Sequence, residues 1–258
     1  MSGHSKWATI KRKKGIKDAA RSKLFTKLGK DILVAAQQGG ADVEMNFSLR
    51  LAVDRAKAAN MPSDNINRMI QKASGELKAT KIAMVSYEAY GPGGSMIIID
   101  CETDNTNRSL TDVKALIFKT GGKMASEGSI SWQFDLLGQI ALEAKVANPN
   151  TPYGKEQVYD AIDIDQLQLD ILDIPGVVDL QVDPEDNTIN VLTERESLSS
   201  VRDHLMQLKL KVTEAQMIRL PQSYLELSDE DSASLESVVA ELEDLDDVDE
   251  VWTNVILD

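Results

Sequence analysis

Apolar residues between Leu24 and Ala36 recur at intervals of three and four. Leu24, Phe25, Leu28, Ile32 and Ala35 or Ala36 share one side of a helix, within a basic helical stretch spanning residues 5–38. Gly39-Gly40 ends it. A second helix is predicted from about Met45 to Asn60, with Phe47, Leu51, Val53 and Ala58 on its apolar side. Pro62 follows, and Ser63 or Asp64 is placed to cap a third helix carrying Ile66, Met69 and Ile70. Three helices with two tight connections predict a small helical bundle over residues 1–81.

The pattern changes at Lys81. Ile82–Tyr90 and Met96–Glu102 read as strands joined by Gly91-Pro-Gly-Gly94, and a helix follows over Ser109–Lys119. Ser129–Phe134 reads as another strand. Strands are also predicted at Gln139–Ala144, Val177–Val182, Thr188–Thr193, Val212–Leu220 and Glu250–Ile256. Helices are predicted at Asp163–Leu172 and Ser197–Leu208, with a further one opened by Ser228. The closing β-α-β completes an interrupted β-β-α-β. The expected fold is therefore α+β and multi-domain: an N-terminal three-helix bundle followed by two α/β domains of ferredoxin-like type, one inserted into the other. The expected boundaries are 1–81, then 82–134 plus 212–258 as one discontinuous domain, with 135–211 inserted.

Charge divides the chain along the same line. The net charge is −14, yet residues 1–81 carry 17 of the 28 Lys and Arg and only 7 of the 42 Asp and Glu. The local potential, which acts over a Debye length of ~8–10 Å, decides what docks where. Lys11, Arg12, Lys13, Lys14, Lys17, Arg21, Lys23, Lys27 and Lys30 are opposed only by Asp18. An ordinary exposed helix face mixes signs to gain i,i+4 pairs. Nine like charges without counterparts suit a nucleic-acid partner, whose phosphates would neutralise them. Lys6 joins this set, and Trp7 is placed either to stack on a base or to staple the N-terminus to the bundle. Asn65 and Arg68 on the third helix read first as surface decoration and second as nucleic-acid contacts. The link Asn60-Met-Pro-Ser63 only suggests a helix-turn-helix.

Enzyme chemistry finds no constellation. His4 and His204 fall in different domains, and no Cys/His cluster has metal-site spacing. Neither a metal nor a cofactor is expected. Cys101 lies in an apolar run and reads as core; a lone cysteine fits a reducing compartment. The acidic stretch Glu241–Glu250 reads as a helix end plus a solvated acidic face, which leaves the acidic body free to meet a protein partner. No run of eighteen apolar residues and no secretory signal is seen, so no membrane partner is expected. A cytoplasmic monomer is the expected state.

Several blocks, in order, resemble the YebC/PmpR family. They are Gly3-His-Ser-Lys-Trp-Ala-Thr-Ile-Lys11, Lys23-Leu-Phe-Thr-Lys27, Ala58-Ala-Asn-Met-Pro62 and Asp64-Asn-Ile66. Tyr87-Glu-Ala-Tyr-Gly-Pro-Gly-Gly94, Thr103-Asp-Asn105 with Asn107-Arg108, and Gly128-Ser-Ile-Ser-Trp132 continue the series. The turn Gly39–Glu44 and Ser109 depart from the pattern, and 135–211 matches it least. The resemblance implies a three-domain, cytoplasmic, non-enzymatic regulator of gene expression. Bacterial relatives are described as DNA-binding transcriptional regulators. Others, including the mitochondrial translational activator of cytochrome oxidase, act in translation, which implies ribosomal RNA as the alternative partner of the same basic face. The matching block also implies an interaction surface at Tyr87, Glu88, Tyr90 and Gly91. Arg108 reads as bound to a local carboxylate, with RNA contact as the second reading.

Overall fold

A computed structural model describes residues 18–74, 82–150, 158–183 and 187–257, with the side chains of 18–22 left aside. Three helices come first: α1 (Asp18–Gly39), α2 (Phe47–Ala58) and α3 (Ser63–Ala73). Then follow β1 (Ala83–Tyr90), β2 (Met96–Thr103), α4 (Thr106–Lys119), β3 (Lys123–Met124), β4 (Phe134–Ala147), β5 (Tyr159–Ala161) and α5 (Ile164–Leu172). The chain continues with β6 (Val177–Asp183), β7 (Thr188–Thr193), α6 (Leu198–Gln207), β8 (Leu210–Pro221), α7 (Asp229–Glu243) and β9 (Val248–Thr253).

The spacing in α1 does what it predicts. Leu28, Ile32, Ala35 and Ala36 are buried against Leu49, Ala52, Val53 and Ala56 of α2, with Met61 and Ile66 closing the cluster. One side chain joins the first two helices. Asn46 caps α2 by accepting from the Leu49 amide at 3.1 Å, while its Nδ2 donates to the carbonyls of Ala35 and Gly40, both at 2.8 Å. The third helix departs from expectation. Pro62 holds its N-cap position and no side chain caps it, so neither Ser63 nor Asp64 acts there. Proline suits that place because the first turn has amides without intrahelical partners anyway.

In the first α/β domain the strands run β3-β1-β2-β9, all antiparallel. Strand β2 is central, which explains its uninterrupted apolar run. Ile97, Ile99 and Cys101 face Val113, Leu116 and Ile117 of α4 and Leu235, Val238 and Leu242 of α7. Ile98 faces the other way, onto Ile130 and Phe134. The β1–β2 hairpin turns on Gly93 and Gly94, whose φ of 61° and 82° suit glycine.

Residues 129–134 were expected to form a strand; a single 3-10 turn at Ser131–Gln133 stands there instead. The cause is Glu88. Its carboxylate accepts the amides of Gly128 at 2.8 Å and Ile130 at 2.5 Å, taking donors that a ladder would need.

A second compact unit spans Leu136–Leu220. The inserted domain was expected at 135–211; β8 pairs with β4 inside this unit. Thr213 Oγ1 donates to the Ala141 carbonyl at 3.1 Å, and Gln216 bonds Gln139 at 3.1 Å. The sheet order is β5-β4-β7-β6, antiparallel throughout, with β8 on β4. Ile140, Leu142, Ile189 and Val191 from the strands, with Leu167, Ile171, Val201 and Leu205 from α5 and α6, are buried.

Ile99, fully buried on β2, tests the first sheet. Ile99→Ala is expected to cost about 2–5 kcal/mol from lost transfer free energy and the cavity left behind, read by urea denaturation.

Candidate nucleic-acid interface

On α1 the positions 23, 27 and 30 are spaced i, i+4, i+7, so their lysines share a face. That face meets the C-terminal end of α7. Lys23 Nζ donates to the Asp244 carbonyl and, at 3.0 Å, to Asp244 Oδ1. Lys27 Nζ donates to the Glu243 carbonyl at 2.9 Å. Lys30 Nζ donates to the Asp246 carbonyl at 2.7 Å and to Asp247 Oδ1 at 3.0 Å. The arrangement follows from helix electrostatics. The last carbonyls of a helix lack intrahelical partners and carry partial negative charge. Helix α7 has no basic residue in its own last turn, so three lysines from α1 meet that need.

Asp247 is the hub of this junction. Its other oxygen accepts from Thr103 Oγ1 at 2.9 Å, from Arg108 Nη2 at 2.7 Å and from Arg108 Nε at 3.2 Å. Burial by itself would raise its pKa. The hydrogen bonds from Arg108, Lys30 and Thr103 outweigh that and hold the carboxyl below the usual aspartate range. The stretch Glu241–Glu250 is thus corrected: Asp247, expected on a solvated face, is buried. Only the opposite charge pattern of α1 signalled it in the sequence.

Of the residues expected to contact nucleic acid, Lys6, Trp7, Lys11, Arg12, Lys13, Lys14 and Lys17 lie outside the described residues, as does the Arg21 side chain. Asn65 and Arg68 are exposed on α3. Arg108 binds Asp104 at 2.9 Å as well as Asp247, the local-carboxylate arrangement.

The block expected as an interaction surface is instead built into the domain at two positions. Glu88 is 6% exposed. Burial would raise its pKa, but the amides of Ile130 and Gly128 and a bond to Ser131 prevail and hold it below the usual glutamate range. The Tyr87 hydroxyl donates to the Thr106 carbonyl at 2.9 Å and lies 2.9 Å from Ser109 Oγ, pinning α4 to β1. Tyr90 is half-buried with Lys123 Nζ 5.3 Å over its ring, and Gly91 closes the hairpin by donating to the Ser95 carbonyl at 2.8 Å. Trp132, which the sequence marks only as part of a family block, is 66% exposed.

Comparison with known proteins gives a consistent match. Residues 5–76 match the family described as the TACO1/YebC protein N-terminal domain, and residues 82–255 match the TACO1/YebC second and third domain. A protein of Caldanaerobacter subterraneus named "probable transcriptional regulatory protein" is 38% identical over 258 residues, covering 100% of this chain and 99% of that one. A protein of the same description from Enterococcus faecalis is 40% identical over 254 residues, covering 98% of each. The crystal structure of a conserved hypothetical protein from Aquifex aeolicus superposes with a TM-score of 0.81 at 33% identity, covering 98% of both chains.

The hub makes a pH prediction with a defined sign. A carboxyl whose folded pKa lies below its unfolded value contributes stability that is full well above the unfolded pKa, near 3.8 for this aspartate. That stability is lost as pH falls from there through the folded value. Asp247→Asn is expected to lower stability by about 1.5–3 kcal/mol at pH 7, the range for hydrogen bonds to charged groups. The gap between variant and wild type should narrow below about pH 4, as urea denaturation over pH 3–7 would show.

Proposed function

Because the chain belongs to the TACO1/YebC family, we propose that it is a non-enzymatic, cytoplasmic regulator of gene expression that binds nucleic acid through its basic N-terminal module. The observation that carries the reading is the concentration of 17 basic and 7 acidic residues in 1–81 within a chain of net charge −14. Relatives named as probable transcriptional regulatory proteins point to DNA as the first partner. Lys11, Arg12, Lys13, Lys14, Lys17 and Arg21, with Lys6 and Trp7, form the grip. Lys23, Lys27 and Lys30 are held by the turn after α7, so phosphate reaches them only in competition with backbone carbonyls and with Asp244 and Asp247. The division of labour is then simple: residues 6–21 bind phosphate, and residues 23–30 fasten the bundle to its body. Such contacts orient the protein on a nucleic acid without reading its bases.

Crosslinking in cells, followed by sequencing of the bound nucleic acid, tests the partner. Enrichment of promoter DNA supports transcriptional control; enrichment of ribosomal RNA moves the same grip to the ribosome. Replacing Lys11, Arg12, Lys13 and Lys14 together with Ala is expected to flatten the plot of log K against log salt by about 0.9 per lost contact on duplex DNA. Unchanged affinity and an unchanged slope would refute the phosphate grip.

A further inference from the structure

One of the three tryptophans is held out of the core on a loop that the chain fixes from below. Trp132 is 66% exposed, whereas Ile130 and Phe134 on either side of it are buried with Ile98. Besides the amides of Gly128 and Ile130, the buried Glu88 carboxylate accepts the Ser131 amide at 3.4 Å. Ser129 closes the turn by donating its amide and its Oγ to the Ser126 carbonyl, at 3.1 and 2.6 Å. Trp132 Nε1 in turn donates to the Ser129 carbonyl at 3.0 Å, which orients the indole on this frame. That bond uses the only donor the side chain has, so what is left for a partner is the face of the ring. A large aromatic fixed in place and left in water is the kind of group that anchors interfaces.

Charge selects the partner. Residues 125–135 contain two acidic residues, Glu127 and Asp135, and no Lys, Arg or His. Both are exposed, and among the described residues neither is in an ion pair; Asp135 accepts from Gln222 Nε2 at 2.9 Å. The nearest cation in sequence, Lys123, already lies over the Tyr90 ring. Carboxylates before and after the ring oppose a phosphate backbone. A cation is favoured by those carboxylates and by the indole quadrupole, the strongest among the aromatic side chains.

We propose that Trp132, Glu127 and Asp135 form a docking point for an arginine side chain of a basic protein partner, independent of the nucleic-acid grip in residues 6–21. A guanidinium is planar, so it stacks on the indole face while the N–H groups at its edge donate to a carboxylate. A lysine ammonium has the charge without the plane, so the site prefers arginine. The Glu88 frame gives the loop its binding geometry before the partner arrives, which lowers the entropy lost on docking.

The test uses the full chain and two peptides of equal length and charge, one carrying three arginines and one three lysines, with a decauridylate as the nucleic-acid probe. The Trp132 indole N–H is followed by NMR and identified by its loss in Trp132→Leu. The arginine peptide is expected to move that resonance and to bind about fivefold more tightly than the lysine peptide. Trp132→Leu should remove the preference while keeping Tm within about 2 °C of wild type, because the ring it removes is exposed. Glu127→Gln combined with Asp135→Asn should weaken the arginine peptide by about three- to tenfold with the ring still present, so the proposal remains testable even if Trp132→Leu fails to fold. Equal affinity of the wild type for the two peptides, an arginine peptide that leaves the Trp132 resonance in place, or a decauridylate that moves it instead, would overturn the site.

Discussion

Lysine ammonium groups and the open end of a helix answer one another in this protein. The amides of Asp244 and Leu245 satisfy the Ala240 and Leu242 carbonyls at the end of α7, further carbonyls stay open, and its own last turn contains no cation. Helix α1 brings three lysines at a spacing that only a helix can align, and each donates to a carbonyl of residues 243–246. Surface ion pairs taken singly contribute little. Here the donors act on backbone acceptors and carboxylates together, and Asp247 adds Arg108 and Thr103 to the same network. Networks of this kind resist the loss of one member only poorly, since the remaining charges stay partly buried. Through Asp247 the network reaches the bundle at Lys30, α4 at Arg108 and β2 at Thr103.

This junction changes the meaning of the basic module. A carboxylate-rich turn over lysines presents the same oxygens that a phosphate backbone would. The Lys23–Lys30 stretch of α1 is therefore already neutralised by its own chain, whereas the cations before it have no acidic neighbours in sequence except Asp18. The strong acidity of the body then works in two ways. Over a few ångströms it supplies partners for lysines; over a Debye length of ~8–10 Å it opposes the approach of any polyanion to the acidic faces.

Much of the fold was legible because it depends on local periodicity. The apolar spacing of α1, the central-strand run Met96–Ile99 and the glycine turn at 93–94 each have one dominant cause, visible within a few residues. What escaped depends on contacts between distant segments. Glu88 prevents a strand forty residues later by taking its amides, and nothing around Glu88 marks it as different from a surface glutamate. Pro62 displaced the expected caps of α3 through its fixed φ. The pairing of β8 was equally hidden, because its partner β4 lies some seventy residues earlier. The candidate interface divided in the same way. Its charge was plain, but the capture of three lysines by the end of α7 required the tertiary fold.

The two acidic groups beside the bundle show why burial alone does not assign a role. Asp247 and Glu102 have almost the same exposure, 8% and 7%. Asp247 meets a guanidinium, an ammonium and a hydroxyl, so its ionised form is favoured and the folded protein holds it as an anchor. At Glu102 burial acts first, Asp31 and Asp249 add to it, and Lys30 and Arg55 offset them only in part, so its ionised form is opposed. Desolvation acts on both; the sign of the neighbours decides the outcome. The same acidic segment supplies Asp247 itself and, two residues on, Asp249, one of the groups that oppose ionisation of Glu102.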